Sequence, residues 1–184
     1  MAIEPAPFDV VEASRRVWLE RWSASATSGM AVFSGILRSY QLLKERVDAV
    51  LRRHNLTFGR YEVLAWLSTD PEPSLTLSWI SKTLRMPPAT LTNIIDHLEE
   101  RGLVRRETHP SDARTTLAVA TDEGRRIADL VTQQLNDEVY ERIELDDGDR
   151  DALTELLRRL RANGNEFDVA RSDDVVEGMR SRAR

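Results

Sequence analysis

The sequence predicts a mainly α protein: a winged helix-turn-helix with a two-stranded β wing, flanked by long N- and C-terminal helices. Three observations predict it. Leu91, Ile94, Ile95 and Leu98 recur at helical spacing behind Pro87-Pro88, giving a helix with one apolar face to bury. A shorter stretch, Leu77 to Leu84, precedes it with Leu77, Ile80 and Leu84 inward, and Arg85-Met86-Pro87 joins the two; that order is a helix-turn-helix. Two β-prone segments then follow, 103–108 and 115–120, with the turn-forming His109-Pro110-Ser111-Asp112-Ala113-Arg114 between them, which reads as a hairpin.

Taken in order, Phe8 to Trp22 reads as an amphipathic helix with Val11, Trp18 and Trp22 along one stripe, a packing arm or, alternatively, a ligand-binding element. Ser23 to Gly29 is a linker of small residues. Met30 to His54 is a long helix with Phe33, Ile36, Leu37, Tyr40, Leu43, Val47, Val50 and Leu51 inward, ended by Asn55-Leu56. Thr57 is a good N-cap for the next helix, whose Phe58, Tyr61, Leu64 and Leu67 face a core. Asp70-Pro71-Glu72-Pro73 breaks the chain before the helix-turn-helix. After the wing, Thr121 caps a helix reaching about Ile143, with Ile127, Leu130, Val131, Leu135, Val139 and Ile143 as its seam. Asp146-Asp147-Gly148-Asp149 makes a turn and a second N-cap. A last helix follows with Leu153, Leu156, Leu157 and Leu160 inward and Arg158, Arg159 and Arg161 suiting its C-terminal dipole. Gly164 stops it, and the segment to Arg184 is a polar tail.

The Pro88 helix carries the functional expectation. Prolines suit a first helical turn, where a missing N–H costs nothing, and Gly102 stands where a left-handed cap ends a helix. Its outward face is Ala89, Thr90, Thr92, Asn93, Asp96 and His97. Short polar groups near the leading end let a helix enter a major groove, and the Asn93 amide can bond bidentately to adenine.

The segment resembles the MarR family of bacterial transcription regulators. The residues that carry the likeness are Leu98-Glu99-Glu100-Arg101-Gly102-Leu103-Val104-Arg105-Arg106, the wing sequence Asp112-Ala113-Arg114-Thr115, Thr121-Asp122-Glu123-Gly124-Arg125, and Leu56 to Leu64 upstream. The resemblance implies a ligand-responsive repressor. It implies a homodimer whose two long-helix regions pair across a two-fold axis and present two recognition helices, ~34 Å apart, to a near-palindromic double-stranded operator. On that reading residues 1–55 are an N-terminal arm and dimerisation helix, 56–120 the DNA-binding domain, 121–163 the C-terminal dimerisation helices and 164–184 a tail. The matching DNA-contact residues are Pro88, Ala89, Thr90, Thr92, Asn93 and His97 on the helix, with Arg105, Arg106, Asp112, Arg114 and Thr115 from the wing. Alternation along a strand lets only one of Arg105 and Arg106 face the duplex. A small aromatic acid is the implied effector, near Tyr40, His54, Arg60, Tyr61 and Trp66; ordinary hinge core is the other reading of those five. Family members that sense peroxide need a cysteine, and zinc-sensing ones carry histidines on the helix after the wing. This chain has neither feature.

Composition narrows the rest. With no cysteine there are no disulfides, thiolate metal sites or thiol catalysis. No apolar run has membrane-spanning length, and Met1 to Pro5 lacks the order of a signal peptide, so a cytoplasmic protein is expected. No nucleophile elbow, phosphate-binding glycine loop or dinucleotide fingerprint occurs, and His54, His97 and His109 are scattered. Neither an enzyme nor a cofactor or metal site is expected. The net charge of −5 means that phosphate neutralisation must come from a local patch, drawn from Lys82, Arg85, Arg101, Arg105, Arg106 and Arg114. The competing class is a winged helix that docks a protein partner, but such a face would expose large apolar residues in place of Thr90, Thr92 and Asn93.

Overall fold

The computed structural model describes residues 6–69, 74–168 and 172. The Asp70-Pro71-Glu72-Pro73 break and most of the predicted tail lie outside them. The chain groups into two units, residues 1–49 and 50–184.

The first unit holds helix α1 (Val10–Leu19) and all but the last turn of α2 (Ala24–Arg52). Asp9 caps α1, its Oδ1 accepting from the Val11 and Glu12 N–H groups at 2.9 and 3.2 Å. The helix stops short of Trp22, although the Trp22 ring still lies 6.2 Å from that of Trp18. Residues 24–29, expected as part of a linker, are the first turns of α2. The Ser23 hydroxyl accepts from the Ala26 N–H at 3.2 Å, so Ser23 acts as an N-cap, and two alanines behind it supply strong helix propensity. The face of α2 expected to point inward is largely uncovered: Phe33 is 67% exposed, and Ile36, Leu37 and Tyr40 are exposed with it. Helical spacing defines an apolar stripe without saying which chain covers it.

The second unit contains the buried core and the winged helix. Helix α3 (Phe58–Thr69) buries Tyr61, Val63, Leu64 and Leu67. Phe58, expected in that core, is instead exposed at the first turn. Thr57 caps this helix, its hydroxyl accepting from the Arg60 N–H at 3.4 Å. Strand β1 (Leu75–Thr76) leads directly into α4 (Leu77–Thr83), then come α5 (Pro88–Glu100), β2 (Val104–His109), β3 (Asp112–Ala120), α6 (Asp122–Leu135), a π-helical turn at Asn136–Tyr140, and α7 (Asp147–Asn163). The sheet is three-stranded and antiparallel in the order β1-β3-β2. The expected two-stranded wing thus gains β1, which pairs Leu75 with Ala118 and Thr76 with Leu117. Two residues are too few to show a strand's alternation, so this strand left no trace in the sequence pattern. Strand β3 also begins three residues earlier than expected, while β2 keeps its expected length and is shifted by one residue. Asp112 already pairs with His109, across a register shift that follows the Thr108–Thr116 pair.

Two glycines fix the route from α5 through the sheet to α6. Gly102 sits at φ +68°, the left-handed conformation that ends α5. A Cβ on Gly124 would lie 2.0 Å from the Leu103 carbonyl oxygen, so α6 can start this close to the head of β2 only without a side chain there. Thr121 closes the junction: its hydroxyl donates to the Gly102 carbonyl at 2.7 Å and accepts from the Gly124 N–H at 3.0 Å. Val131, Leu135 and Val139 are buried, whereas Leu130 of the expected seam is exposed. Helix α7, capped by Asp146 through the Asp149 N–H at 2.9 Å, buries none of its residues. Leu153, Leu156 and Leu160, expected inward, are exposed, Leu156 to 59%. Among the described residues no helix is long and apolar enough to cross a membrane, and no three His, Cys, Asp or Glu side chains gather into a metal site.

Candidate nucleic-acid interface

The recognition element is built by burial on one side only. Leu91, Ile94, Ile95 and Leu98 of α5 are all buried, with Ile95 and Leu98 fully enclosed, which anchors the helix and turns its remaining positions to solvent. The turn before it is tightly held: the Met86 N–H donates to the Ser81 carbonyl at 3.0 Å, and the Ser81 hydroxyl returns to the Met86 carbonyl at 2.7 Å. Arg85 completes the turn at φ +51°, a conformation that costs a branched or bulky side chain energy and marks a tightly determined backbone.

Pro88, Ala89, Thr90, Thr92 and Asn93 are exposed, together at the leading end of α5. No side chain caps that end, because Pro87 occupies the N-cap; the first-turn N–H groups therefore stay open to a phosphate oxygen. The Asn93 amide makes no hydrogen bond among the described residues, so both its donor and its acceptor are available. Thr92 turns its hydroxyl back onto its own helix. Its hydroxyl donates to the Pro88 carbonyl at 2.9 Å, which leaves a methyl group and a lone pair facing outward. His97, expected on the outward face, is only half-exposed, and its Nε2 is buried without a partner.

The wing separates its two arginines. Arg106 turns back to α5 and bridges Asp96 at 2.6 Å and Glu99 at 2.5 Å, while its own N–H donates to Glu99 at 2.9 Å. That double grip holds the Glu99 carboxyl below the usual carboxylate range. Arg105 points the other way and, among the described residues, pairs with Glu107 alone, at 2.6 Å on the exposed surface. At the tip, Asp112 accepts from the Arg114 N–H at 3.0 Å and from the Thr115 hydroxyl at 2.7 Å, and the hydroxyl bond chiefly lowers its pKa. This is an Asx-turn. It shapes the backbone and occupies Asp112 and Thr115, but leaves the Arg114 guanidinium exposed, with no ion pair among the described residues.

Of the five residues expected around an effector, four belong to the second unit. His54 Nε2 lies 2.9 Å from Gln134 Oε1, and the Tyr61 hydroxyl lies 2.9 Å from that of Thr132, so both sit on the seam with α6. Arg60 is half-buried. Trp66 packs on Trp79 of α4, with ring centroids 5.9 Å apart. Tyr40 is exposed in the first unit. Sequence reasoning missed the grip of Asp96 and Glu99 on Arg106, because the partners stand ten and seven residues away on another element.

Comparison with known proteins agrees with this geometry. The model of the MarR family matches residues 54–115. Sco5413, a MarR family transcriptional regulator from Streptomyces coelicolor, superposes with a TM-score of 0.68 at 33% identity, over 77% of this chain and 98% of its own. The transcriptional repressor CouR bound to a 23-mer DNA duplex aligns with a TM-score of 0.64 at 26% identity, over 68% of this chain and 89% of its own. CouR from Rhodococcus jostii RHA1 bound to p-coumaroyl-CoA aligns with a TM-score of 0.61 at 25% identity, over 73% and 92%. With its anchored recognition helix, its winged sheet and a near-complete match to a family regulator at one-third identity, this chain belongs to the MarR family of transcriptional regulators.

Proposed function

We propose that the chain is a sequence-specific double-stranded DNA-binding regulator, a repressor that works as a homodimer on a near-palindromic operator and whose affinity is tuned by a small aromatic acid. One observation carries the reading: an exposed, uncapped, short-polar leading end of α5, with an unbonded Asn93, beside a wing tip whose Arg114 is unpaired. CouR, a relative of the same fold, was captured on a DNA duplex and with p-coumaroyl-CoA, which supports both the DNA and the effector parts. The uncovered apolar faces of α2 and α7 support a second copy as the missing cover. The relatives are regulators, and the chain is read as acting by binding alone, in the cytoplasm where the DNA is.

The test starts with selection of bound sequences from random duplex DNA, followed by anisotropy titrations on the winning site. Asn93→Ala should cost about 1–3 kcal/mol on that site and far less on random DNA, relaxing one position in each half-site. Arg114→Ala should weaken every duplex by a similar factor and flatten log K against log salt by about one unit. If Arg114→Ala leaves the slope intact while Asn93→Ala loses equally on every sequence, the two roles are wrong. Wild-type binding insensitive to salt would favour a protein-docking winged helix instead.

A further inference from the structure

A hollow of about 480 Å³ lies between α4 and the leading end of α5. Leu77, Ser81 and Lys82 line it from α4, and Pro88, Leu91 and Thr92 from α5. Pro88 and Thr92 are also part of the exposed end that the DNA-binding reading aims at a major groove, so the hollow borders the surface offered to the bases.

Its wall is less polar than its composition. The Thr92 hydroxyl donates to the Pro88 carbonyl at 2.9 Å, and the Ser81 hydroxyl donates to the Met86 carbonyl at 2.7 Å. A hydroxyl has one proton to give, so neither has one left for a base. What Thr92 offers outward is its methyl group, beside the Pro88 ring and above Leu77 and Leu91; its remaining lone pair can only accept. Ala89, Thr92 and Asn93 stand at i, i+3 and i+4, the spacing of neighbours on one helix face, and all three are exposed. Two methyl groups therefore adjoin one free amide. Lys82 is exposed at the hollow and has no carboxylate partner among the described residues.

We infer that this hollow is a subsite for the 5-methyl group of a thymine, seated against Thr92, Pro88 and Leu77, next to the adenine assigned to Asn93 and with Lys82 at the adjoining backbone phosphate. Among the four bases only thymine presents a methyl group in the major groove. Cytosine has a C5–H there and would leave the apolar wall against water. A purine presents its N7 acceptor, for which Thr92 has no free proton. The inference rests on the DNA-binding reading above and adds to it the chemical group that this part of the chain reads. It also carries a consequence for modified DNA: 5-methylcytosine holds the same methyl at the same place, so methylation of a cytosine at this position should strengthen binding.

The selected operator, remade with deoxyuridine in place of one thymine at a time, tests it, because deoxyuridine pairs as thymine does and lacks only the methyl. At one position in each half-site the full wild-type chain should lose about fourfold in affinity, the effect of one buried methyl group. 5-Methylcytosine should bind more tightly than cytosine there by a similar factor. Thr92→Ser keeps the hydroxyl that bonds the Pro88 carbonyl and removes the methyl; it should lose the same factor on the thymine operator and nothing more on the uridine one. Thr92→Val keeps a methyl without the hydroxyl and should still tell thymine from uridine. Lys82→Gln should weaken both operators alike and flatten the salt slope by about one unit; a loss confined to the thymine operator would overturn its place at the phosphate. A wild type indifferent to uridine at every thymine overturns the subsite without recourse to any variant, and leaves the DNA reading standing. Thr92→Ser as sensitive to uridine as the wild type, or Thr92→Val insensitive to it, overturns the subsite too, with circular dichroism confirming that each variant folds. Absence of duplex binding by the wild type overturns the DNA reading and the subsite together.

Discussion

Arg106 and Arg114 differ in what a substitution should do, although both are wing arginines. Arg106 neutralises Asp96 and Glu99, two carboxylates on the recognition helix. In Arg106→Ala those charges are left uncompensated on the helix that must approach DNA. Affinity should fall on all duplexes, but the salt slope should hold, because no phosphate contact is removed. A slope flattened by Arg106→Ala as much as by Arg114→Ala would show that Arg106 leaves its carboxylates for the duplex. Arg105→Ala, which breaks only an exposed pair with Glu107, should shift stability by no more than about 1 kcal/mol. The sequence showed that the two neighbours must face opposite ways; which of them faces α5 depended on partners in another element and was not legible. Asn93 and Arg114 were legible because their exposure follows directly from helix periodicity and turn position. Glu62 allows a separate prediction. Desolvation raises its folded-state pKa above the ordinary 4.5, so the folded chain favours the protonated form. Stability from this group is gained as pH falls through the raised value, and the penalty is fully present above it. Glu62→Gln should therefore raise Tm at pH 7–8, with the gain vanishing below about pH 4; an equal gain at both ends would assign the effect to packing instead.

Helices α6 and α7 carry similar apolar stripes, yet the structure treats them differently. Val131 and Leu135 are fully buried in the chain's own core, while Leu156 is 59% exposed. Val131→Asp buries an unpaired charge and should cost about 3 kcal/mol or more, read as a large loss of Tm with loss of helicity on warming. Leu156→Glu should leave helicity intact and lower the molecular mass in light scattering at micromolar concentration, since it strikes a side chain that is 59% exposed and that the described residues leave uncovered. A Leu156→Glu protein of unchanged mass would remove α7 from the assembly surface, and a wild-type monomer would end the dimer reading. The same contrast explains what periodicity revealed. It placed α5, α6 and α7 and their stripes, because a 3.6-residue repeat is local. It could not separate a stripe buried within the chain from one left open. It also missed β1, which has two residues, and the π-helical turn at Asn136–Tyr140, which changes the repeat without changing composition. The opening of α2 was hidden by small residues that also suit a linker.

At the scale of the whole molecule, a net charge of −5 has to coexist with a polyanionic partner. The fold sets aside part of its positive charge in internal pairs: Arg15, Arg53, Arg105, Arg106, Arg126 and Arg150 each lie against a carboxylate. Of the cations of the winged helix, Lys82, Arg85, Arg101 and Arg114 have no carboxylate partner among the described residues. At most four such cations per chain can then meet phosphates, and at about −0.9 per phosphate contact they set the ceiling on the salt slope of a dimer. Affinity would depend more on shape and base contacts, which makes it sensitive to small shifts of α5. Ligand control follows the same logic and obeys reciprocity. If a small aromatic acid weakens the operator by some factor, the operator must weaken that acid by the same factor, with a coupling of about 1–3 kcal/mol. Either partner alone should raise Tm, and the two together should raise it by less than the sum, because each stabilises the state it binds. Calorimetric titration of 2-naphthoate into the free chain and into the operator complex measures the coupling from one side, and anisotropy with and without naphthoate measures it from the other. Two factors that agree would establish that one bound acid is coupled to the operator. Unequal factors would mean that naphthoate acts on the DNA or on a second site, and the effector reading would fail.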